Sequence, residues 1–319
     1  MSQSIQAVLK TLVYADIFDY PLNFEELHRF LISDKPLSFF EFKKMLMQIS
    51  TDLEQINTGR EFYFLSGRDK LVDLRKKREK WGKEKFKIAQ KVGEWFKIIP
   101  WIKMVGITGA LAINNSDKND DIDILIVCSK NRLWLTRLLV TILTEILGIR
   151  RRPEKNKDKS RYSFFLTSIH PRCELGNLEV RNKICLNMFL DEDHLLVPIK
   201  ERDLYTAHEV CQLKLLWDRG ECYQKFLNSN QWIKKYLPNA FHITYNTQHT
   251  TLKIKKSKIL YVPCYLLHIL EILAKSFQLL YMRKRRTTEV ISEGIIRFHP
   301  HDARPWILGE YNLLVKKLL

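Results

Sequence analysis

The sequence predicts an α/β fold of the α+β kind, with an N-terminal winged-helix-like unit, a central mixed sheet with flanking helices, and a C-terminal helical domain. Apolar residues recur at helical spacing towards both ends of the 319-residue chain. Short apolar runs at residues 101–107, 121–127 and 183–190 have the length and composition of strands. Hydrophobic residues make up 45% of the chain, which excludes an intrinsically disordered protein.

No Gly- or Ser-rich linker separates these parts, so we expect them to pack tightly. We expect a winged-helix-like domain, a connecting helix, a sheet domain and a helical domain, at residues 1–68, 69–98, 99–203 and 204–319 respectively. The predicted helices of the last domain span 206–217, 221–228, 231–236 and 258–282.

The N-terminal unit is predicted to hold three helices followed by a hairpin. Helices at 5–18, 23–31 and 38–49 show apolar stripes, and Asn23 with Glu26 forms the pattern of a capping box. The hairpin is predicted at 53–65, with its turn at residues 57–59. This order resembles a winged helix, whose third helix commonly reads DNA. Here that helix offers only Lys43, Lys44 and Gln48 to a nucleic acid, so we favour a packing role.

Two aspartates open the second predicted strand. Asp121 and Asp123 are two residues apart, so in a strand their side chains project from the same face. Two carboxylates so close repel each other unless a cation lies between them. Mg²⁺ is typically bound by one or two carboxylates, with phosphates and water completing the shell. The pair therefore predicts a divalent metal site.

A glycine turn precedes this strand by ten residues. The first strand of the sheet domain ends at Thr108-Gly109, and a short helix is predicted over 110–114. Glycine at a strand-to-helix turn lets the backbone approach a ligand closely, and a helix N-terminus presents N–H groups to an anion. The turn is therefore a candidate phosphate site.

Gly109-Ala110 followed by Asp121-Ile122-Asp123 resembles the signature of the polymerase-beta-like nucleotidyltransferases. The resemblance implies a metal-dependent transfer of a nucleoside monophosphate from a nucleoside triphosphate to a hydroxyl acceptor. Asp121 and Asp123 would hold Mg²⁺ or Mn²⁺, and Thr108, Gly109 and Ala110 would bind the nucleotide. Ala110 departs from the family, which often has Ser at that position.

The family usually adds a third carboxylate from a later strand. The predicted strand at 183–190 has Asn187 at its centre, and an amide can neither accept a proton as a base nor supply a charged ligand. We keep Asn187 as a candidate nucleotide-binding residue. Glu179 is the nearby acidic residue with apolar neighbours, and it is the candidate third catalytic residue.

The formal net charge of +17 favours polyanionic partners. Basic residues cluster at 75–78, 150–152 and 283–286, and each cluster is either an anion-binding surface or simply a solvated one. The six cysteines form no CxxC pair, and no secretory leader is evident, so we expect free thiols and a cytoplasmic location. The apolar stretch 259–282 contains a polar stripe at helical spacing, so we interpret it as a packed core helix and expect no membrane partner.

Two other functions stay open at this point. Ala110 and Asn187 favour a catalytically impaired module that binds nucleotide, nucleic acid or a protein partner. A DNA-binding regulator acting through Lys43 and Lys44 is the third hypothesis. Such a regulator would bind duplex DNA with an affinity that falls steeply with salt.

Overall fold

The computed structural model describes residues 3–49, 55–152, 181–247, 264–283, 290–298 and 302–319. Helices and a mixed sheet are both present, so the predicted α/β class is confirmed. No helix in these ranges is long and apolar enough to cross a bilayer.

The N-terminal part contains three helices and a small antiparallel sheet. Its elements are α1 (Gln3–Asp16), β1 (Leu22–Asn23), α2 (Phe24–Arg29), α3 (Phe39–Ile49), β2 (Ile56–Gly59) and β3 (Phe62–Leu65). The predicted capping box is confirmed: Asn23 Oδ1 accepts the N–H of Glu26 at 2.8 Å, and Glu26 Oε2 accepts the N–H of Asn23 at 3.1 Å.

The predicted position of the hairpin turn is wrong. Residues 57–59 belong to β2, and Gly59 pairs with Phe62, so the two-residue turn is Arg60-Glu61. Both turn residues have positive φ, 51° and 75°, as a type I′ turn requires. Asn57-Thr58-Gly59 has turn-like composition, but the cross-strand pairing of β3 decides the register.

A long helix, α4 (Lys70–Phe96), leads into the central sheet. Two arginines of the basic cluster at 75–78 are buried on it rather than available to an anion. Arg75 contacts Glu26 and Glu79, each at 2.7 Å, and Arg78 contacts Asp117 at 2.7 Å. The helix is thereby joined both to the N-terminal part and to the loop before the aspartate strand.

Among the described residues, the central sheet has six strands in the order β7-β4-β5-β6-β9-β8. They span β4 (Ile102–Ile107), β5 (Ile122–Cys128), β6 (Ile184–Asp191), β7 (Lys214–Asp218), β8 (Val290–Ser292) and β9 (Ile295–Arg297). Only β5 and β6 pair in parallel, and the other neighbours are antiparallel. The short helix α5 (Gly109–Ala112) follows β4, and α6 (Leu133–Ile146) follows β5.

Helices cover both faces of this sheet. One face packs on α4, α6 and α10 (Cys264–Arg283). The other face packs on α7 (Leu204–Gln212), α8 (Cys222–Ser229), α9 (Pro238–Thr247) and α11 (Arg304–Leu318), together with Tyr14 of α1. Both faces of β5 are therefore buried along most of its length.

The C-terminal half departs from prediction in two places. The predicted helix 206–217 is wrong, because α7 ends at Gln212 and residues 214–218 form β7 along β4. A short apolar run fits a helix or a strand equally well, and pairing with a sheet edge decides between them. With β8 and β9 also in the sheet, the sheet includes residues beyond 203, which we had assigned to a separate helical domain.

Candidate metal and nucleotide site

Asp121 and Asp123 converge where β5 begins. Ile122 and Ile124 point into the core on one side of the sheet and are fully buried. On the other side, oxygens of the two aspartates and the Sγ of Cys185 all lie within 4.8 Å of one another. The prediction that the two carboxylates project from one face is confirmed.

The residue beside Asp123 on the neighbouring strand is Cys185. The parallel register of β5 and β6 pairs these two residues directly, and the Cys185 thiol hydrogen-bonds the Asp123 carboxylate. Burial and the two aspartates raise the pKa of Cys185, so its thiol stays neutral. From the sequence, Cys185 is expected only to be a free thiol, because local residue patterns do not reveal the register between the two strands.

Of the two candidates for the third position, Asn187 does not lie opposite Asp123. Asn187 is buried at a bulge in β6, two residues beyond Cys185, and its carbonyl accepts the N–H of Phe298 at 2.9 Å. Glu179 lies outside the described residues. Within the described ranges, a thiol takes the place where the family resemblance led us to expect a carboxylate.

The turn at Gly109 lies against Asp123. Gly109 has φ +65°, and a Cβ at this residue would be 3.0 Å from the Asp123 Oδ2. Glycine is therefore required both for the backbone conformation and for the approach of the carboxylate. The Thr108 N–H donates to the Asp123 carbonyl at 3.1 Å, which fixes the turn to β5. Ala110 is the second residue of α5 and directly follows Gly109.

Thr108 has a hydroxyl without a hydrogen-bond partner. The residue is 9% exposed, and its Oγ1 finds no partner among the described residues. Burying an unpaired hydroxyl costs about 1–3 kcal/mol, so such an atom in a native site points to an absent ligand or water.

The electrostatics of the pair differ between its two members. Burial, and then the charge of Asp121, raise the pKa of Asp123 to about 7. Asp121 instead receives a hydrogen bond from Arg151, whose Nη1 lies 2.6 Å from Oδ2. The backbone N–H of Arg151 donates to Ile184, so β6 positions this arginine. In the basic cluster at 150–152, the two other arginines pair with Glu145, and only Arg151 reaches the aspartates.

Glu209, on α7, is a further, partly buried carboxyl near the pair and was not identified from the sequence. Burial raises its pKa to about 7, and its charge also acts on Asp123. Together with Thr108 it lines a mostly apolar cavity of about 100 Å³. The available signal was one acidic residue within the apolar segment 204–211, which is an unusual place for an unpaired carboxylate.

A larger cleft lies beyond the far end of α5. Its volume is about 490 Å³, which is in the range of small-molecule sites. Ile113 and Asn114 line it on the sheet side, and Tyr20, Asn23 and Arg29 line it on the N-terminal side. The N-terminal part and the region around the turn therefore share one concave surface.

The chemistry of the donors fits a hard divalent cation. Two carboxylates supply oxygen ligands, and the neutral thiol of Cys185 is a poor ligand for Mg²⁺ but a good hydrogen-bond donor to Asp123. No family model matches the chain, and no curated protein or solved structure matches it either. The functional conclusion therefore depends on this geometry and on the sequence motif.

Proposed function

We propose that the protein is a metal-dependent nucleotidyltransferase that transfers a nucleoside monophosphate from a nucleoside triphosphate to a hydroxyl acceptor. The observation that carries the proposal is the convergence of the Asp121 and Asp123 carboxylates against the Gly109 turn. A carboxylate pair beside a glycine turn suits phosphoryl transfer, because its catalysis is almost entirely positioning and charge stabilisation.

Asp121 and Asp123 would hold Mg²⁺ or Mn²⁺. When bound, the metal neutralises triphosphate charge and orients the reacting phosphate. A raised pKa at Asp123 supports this assignment, since a buried, like-charged carboxylate gains most from a cation. Cys185 would hold the Asp123 carboxylate in orientation through its thiol hydrogen bond.

The remaining residues have separate roles in this proposal. Thr108, Gly109 and Ala110 bind the triphosphate, and the unpaired Thr108 hydroxyl donates to it. Arg151 leaves Asp121 when the site is loaded and then pairs with the triphosphate. Glu209 lines the same cavity as Thr108, where it would accept a hydrogen bond from the acceptor hydroxyl.

A second candidate is a module that binds nucleotide, nucleic acid or a protein partner without transfer. The specific observation in its favour is Cys185, which occupies the position beside Asp123 with a group that cannot act as a base or as a charged ligand while neutral. The Arg151 ion pair at Asp121 supports it as well, because a guanidinium can replace part of the charge of a metal ion.

Label transfer separates the two candidates. The full chain is incubated with each α-³²P-labelled nucleoside triphosphate, Mg²⁺ or Mn²⁺, and a mixed cell extract as the source of acceptor. We expect metal-dependent label on an acceptor, lost in Asp123→Asn and kept in Asp193→Asn, whose carboxylate is exposed and paired with Lys130. Saturable nucleotide binding without transfer under any of these conditions would support the binding module instead.

A further inference from the structure

The side of helix α10 that packs on the body of the protein carries two buried polar residues besides Ala274 and Met282. Glu271 and Gln278 are 8% and 5% exposed. The Glu271 carboxylate accepts the N–H groups of Trp134 and Leu135 at the start of α6, both at 2.8 Å. The Gln278 side-chain amide donates to the Trp134 carbonyl at 2.8 Å. These bonds fix the rotation of α10 about its own axis. Ala274 and Met282 belong to the core, as expected of a packed core helix, but the polar stripe faces the body of the protein and not solvent.

Large apolar side chains occupy the opposite side of α10. At 3.6 residues per turn they fall within an arc of about 140°. They are between 48% and 71% exposed, so no described residue covers them. We call this surface the outer face; it consists of Tyr265, Ile269, Ile272, Leu273, Phe277 and Leu280. His268 and Lys275 lie along one margin of the helix and leave the outer face itself without charge.

The outer face is large for a surface that stays in water. If a whole large side chain presents about 150–250 Å², six of them at these exposures present on the order of 700 Å². Monomers rarely expose a contiguous apolar patch above about 300–600 Å². A standard interface buries about 800 Å² on each partner. The outer face therefore supplies most of one side of a stable interface.

We infer that two copies of this chain associate through the outer face of α10, with α10 packing against α10 about a twofold axis. In such a dimer the same surface serves both partners, and a wholly apolar surface is complementary to itself. The helix is 20 residues long, or about 30 Å, which is enough for several turns of contact. The inference does not depend on the proposed transfer activity.

An anionic bilayer is the competing occupant, because the chain continues from Arg283 with Lys284-Arg285-Arg286. The effect of salt distinguishes the two. Each copy carries a net charge of +17, so screening weakens the repulsion between copies and strengthens a dimer. Binding of basic residues to anionic lipid weakens under the same conditions.

Sedimentation equilibrium of the full chain over a wide concentration range tests the inference. We expect a species of twice the chain mass that strengthens with salt and is lost in the double variant Leu273→Glu, Phe277→Glu. Both positions are exposed, so the circular dichroism spectrum should not change, and the thermal midpoint should equal that of the wild type at concentrations where the wild type is monomeric. The matched control is Leu313→Glu on α11, which is 65% exposed and should leave the dimer intact.

Two outcomes would overturn the inference. One is a wild-type chain that stays monomeric at every protein and salt concentration. If that monomer also co-sediments at low salt with vesicles of phosphatidylserine and phosphatidylcholine, the outer face binds a bilayer instead. The other is a dimer that persists unchanged in the double variant. Neither outcome bears on the proposed transfer reaction, which is measured separately by label transfer.

Discussion

Four aspartates within residues 117–123 fall into two groups that the fold treats in opposite ways. Asp117 and Asp120 are bound to their surroundings: Arg78 contacts Asp117 at 2.7 Å, and the Asp120 carboxylate accepts the N–H of Asp117 at 2.7 Å. Asp123 has the charge of Asp121 beside it, and the hydrogen bond that its carboxylate receives comes from the neutral thiol of Cys185. The first group stabilises the loop, whereas the second retains unfavourable charge at a site.

This contrast separates a structural carboxylate from a functional one by its partners. A buried carboxylate with its own cation is already neutralised, so a metal ion would gain little there. A buried carboxylate that faces another carboxylate gains much from a metal ion, and perturbed pKa values of this kind cluster at functional sites. Within the second group, Asp121 differs from Asp123, because Arg151 forms an ion pair with Asp121 in the absence of a ligand.

The largest expected effect on stability is that of Arg78→Met. Removing one partner of a buried ion pair costs about 3–5 kcal/mol, and Arg78 is 3% exposed. Urea unfolding measures this loss. Arg60→Met is the matched control: the Arg60–Asp73 pair is exposed, so its loss should cost about 1 kcal/mol or less. If the two variants lose the same free energy of unfolding, the Arg78–Asp117 pair contributes no more to stability than an exposed ion pair, and the structural role given to Asp117 is contradicted. Binding of Mn²⁺ per folded molecule should be unchanged in both variants.

Gly109→Ala should reduce the free energy of unfolding less than Arg78→Met does, but it should impair metal binding. Any non-glycine residue at positive φ loses about 1–2 kcal/mol, and here the new Cβ would also lie 3.0 Å from the Asp123 Oδ2. Gly148→Ala is the matched control, since Gly148 also has φ +65° but no atom within 4 Å of the added Cβ. We expect similar unfolding free energies for the two variants and a loss of Mn²⁺ binding only in Gly109→Ala. Equal metal binding by both variants would show that the turn does not position Asp123.

A smaller effect is expected in the pH dependence of stability. The pKa of Glu209 is about 7 in the folded chain, above the value of about 4.3 for an unperturbed Glu. Protonation therefore favours the folded state, and this contribution is complete below about pH 4 and is lost as pH rises through 7. Relative to Glu209→Gln, the metal-free wild type should lose at most about 1.4 kcal/mol per pH unit over that range. Parallel pH profiles for the two proteins would contradict the burial of a carboxyl without a charge partner.

The sequence predicted those features that depend on local spacing. Asp121 and Asp123 share a face because successive strand residues alternate, and the Asn23 capping box depends on a spacing of three residues. The α/β class followed from apolar periodicity in the same way. None of these requires knowledge of a distant segment.

The features that were missed all depend on partners far away in the sequence. Cys185 reaches Asp123 only through the register of two strands, and residues 214–218 become β7 only because the edge of β4 is open to them. The orientation of α10 follows in part from Glu271 binding the start of α6, which turns a large apolar surface of the helix outward. Glu209 is noticeable in the sequence, but its proximity to Asp123 is a product of helix packing.

The most direct test is a titration of Mn²⁺ into the full chain with a nonhydrolysable triphosphate analogue, followed by electron paramagnetic resonance. We expect saturable binding by the wild type and a loss on the order of 100-fold or more in Asp123→Asn, comparable to the removal of one preorganised charge-stabilising group. Asp123→Asn should unfold at the same or higher denaturant concentration, because it removes a charge that burial and Asp121 destabilise. Equal Mn²⁺ affinity in the two proteins would contradict the assignment of Asp121 and Asp123 as the metal site.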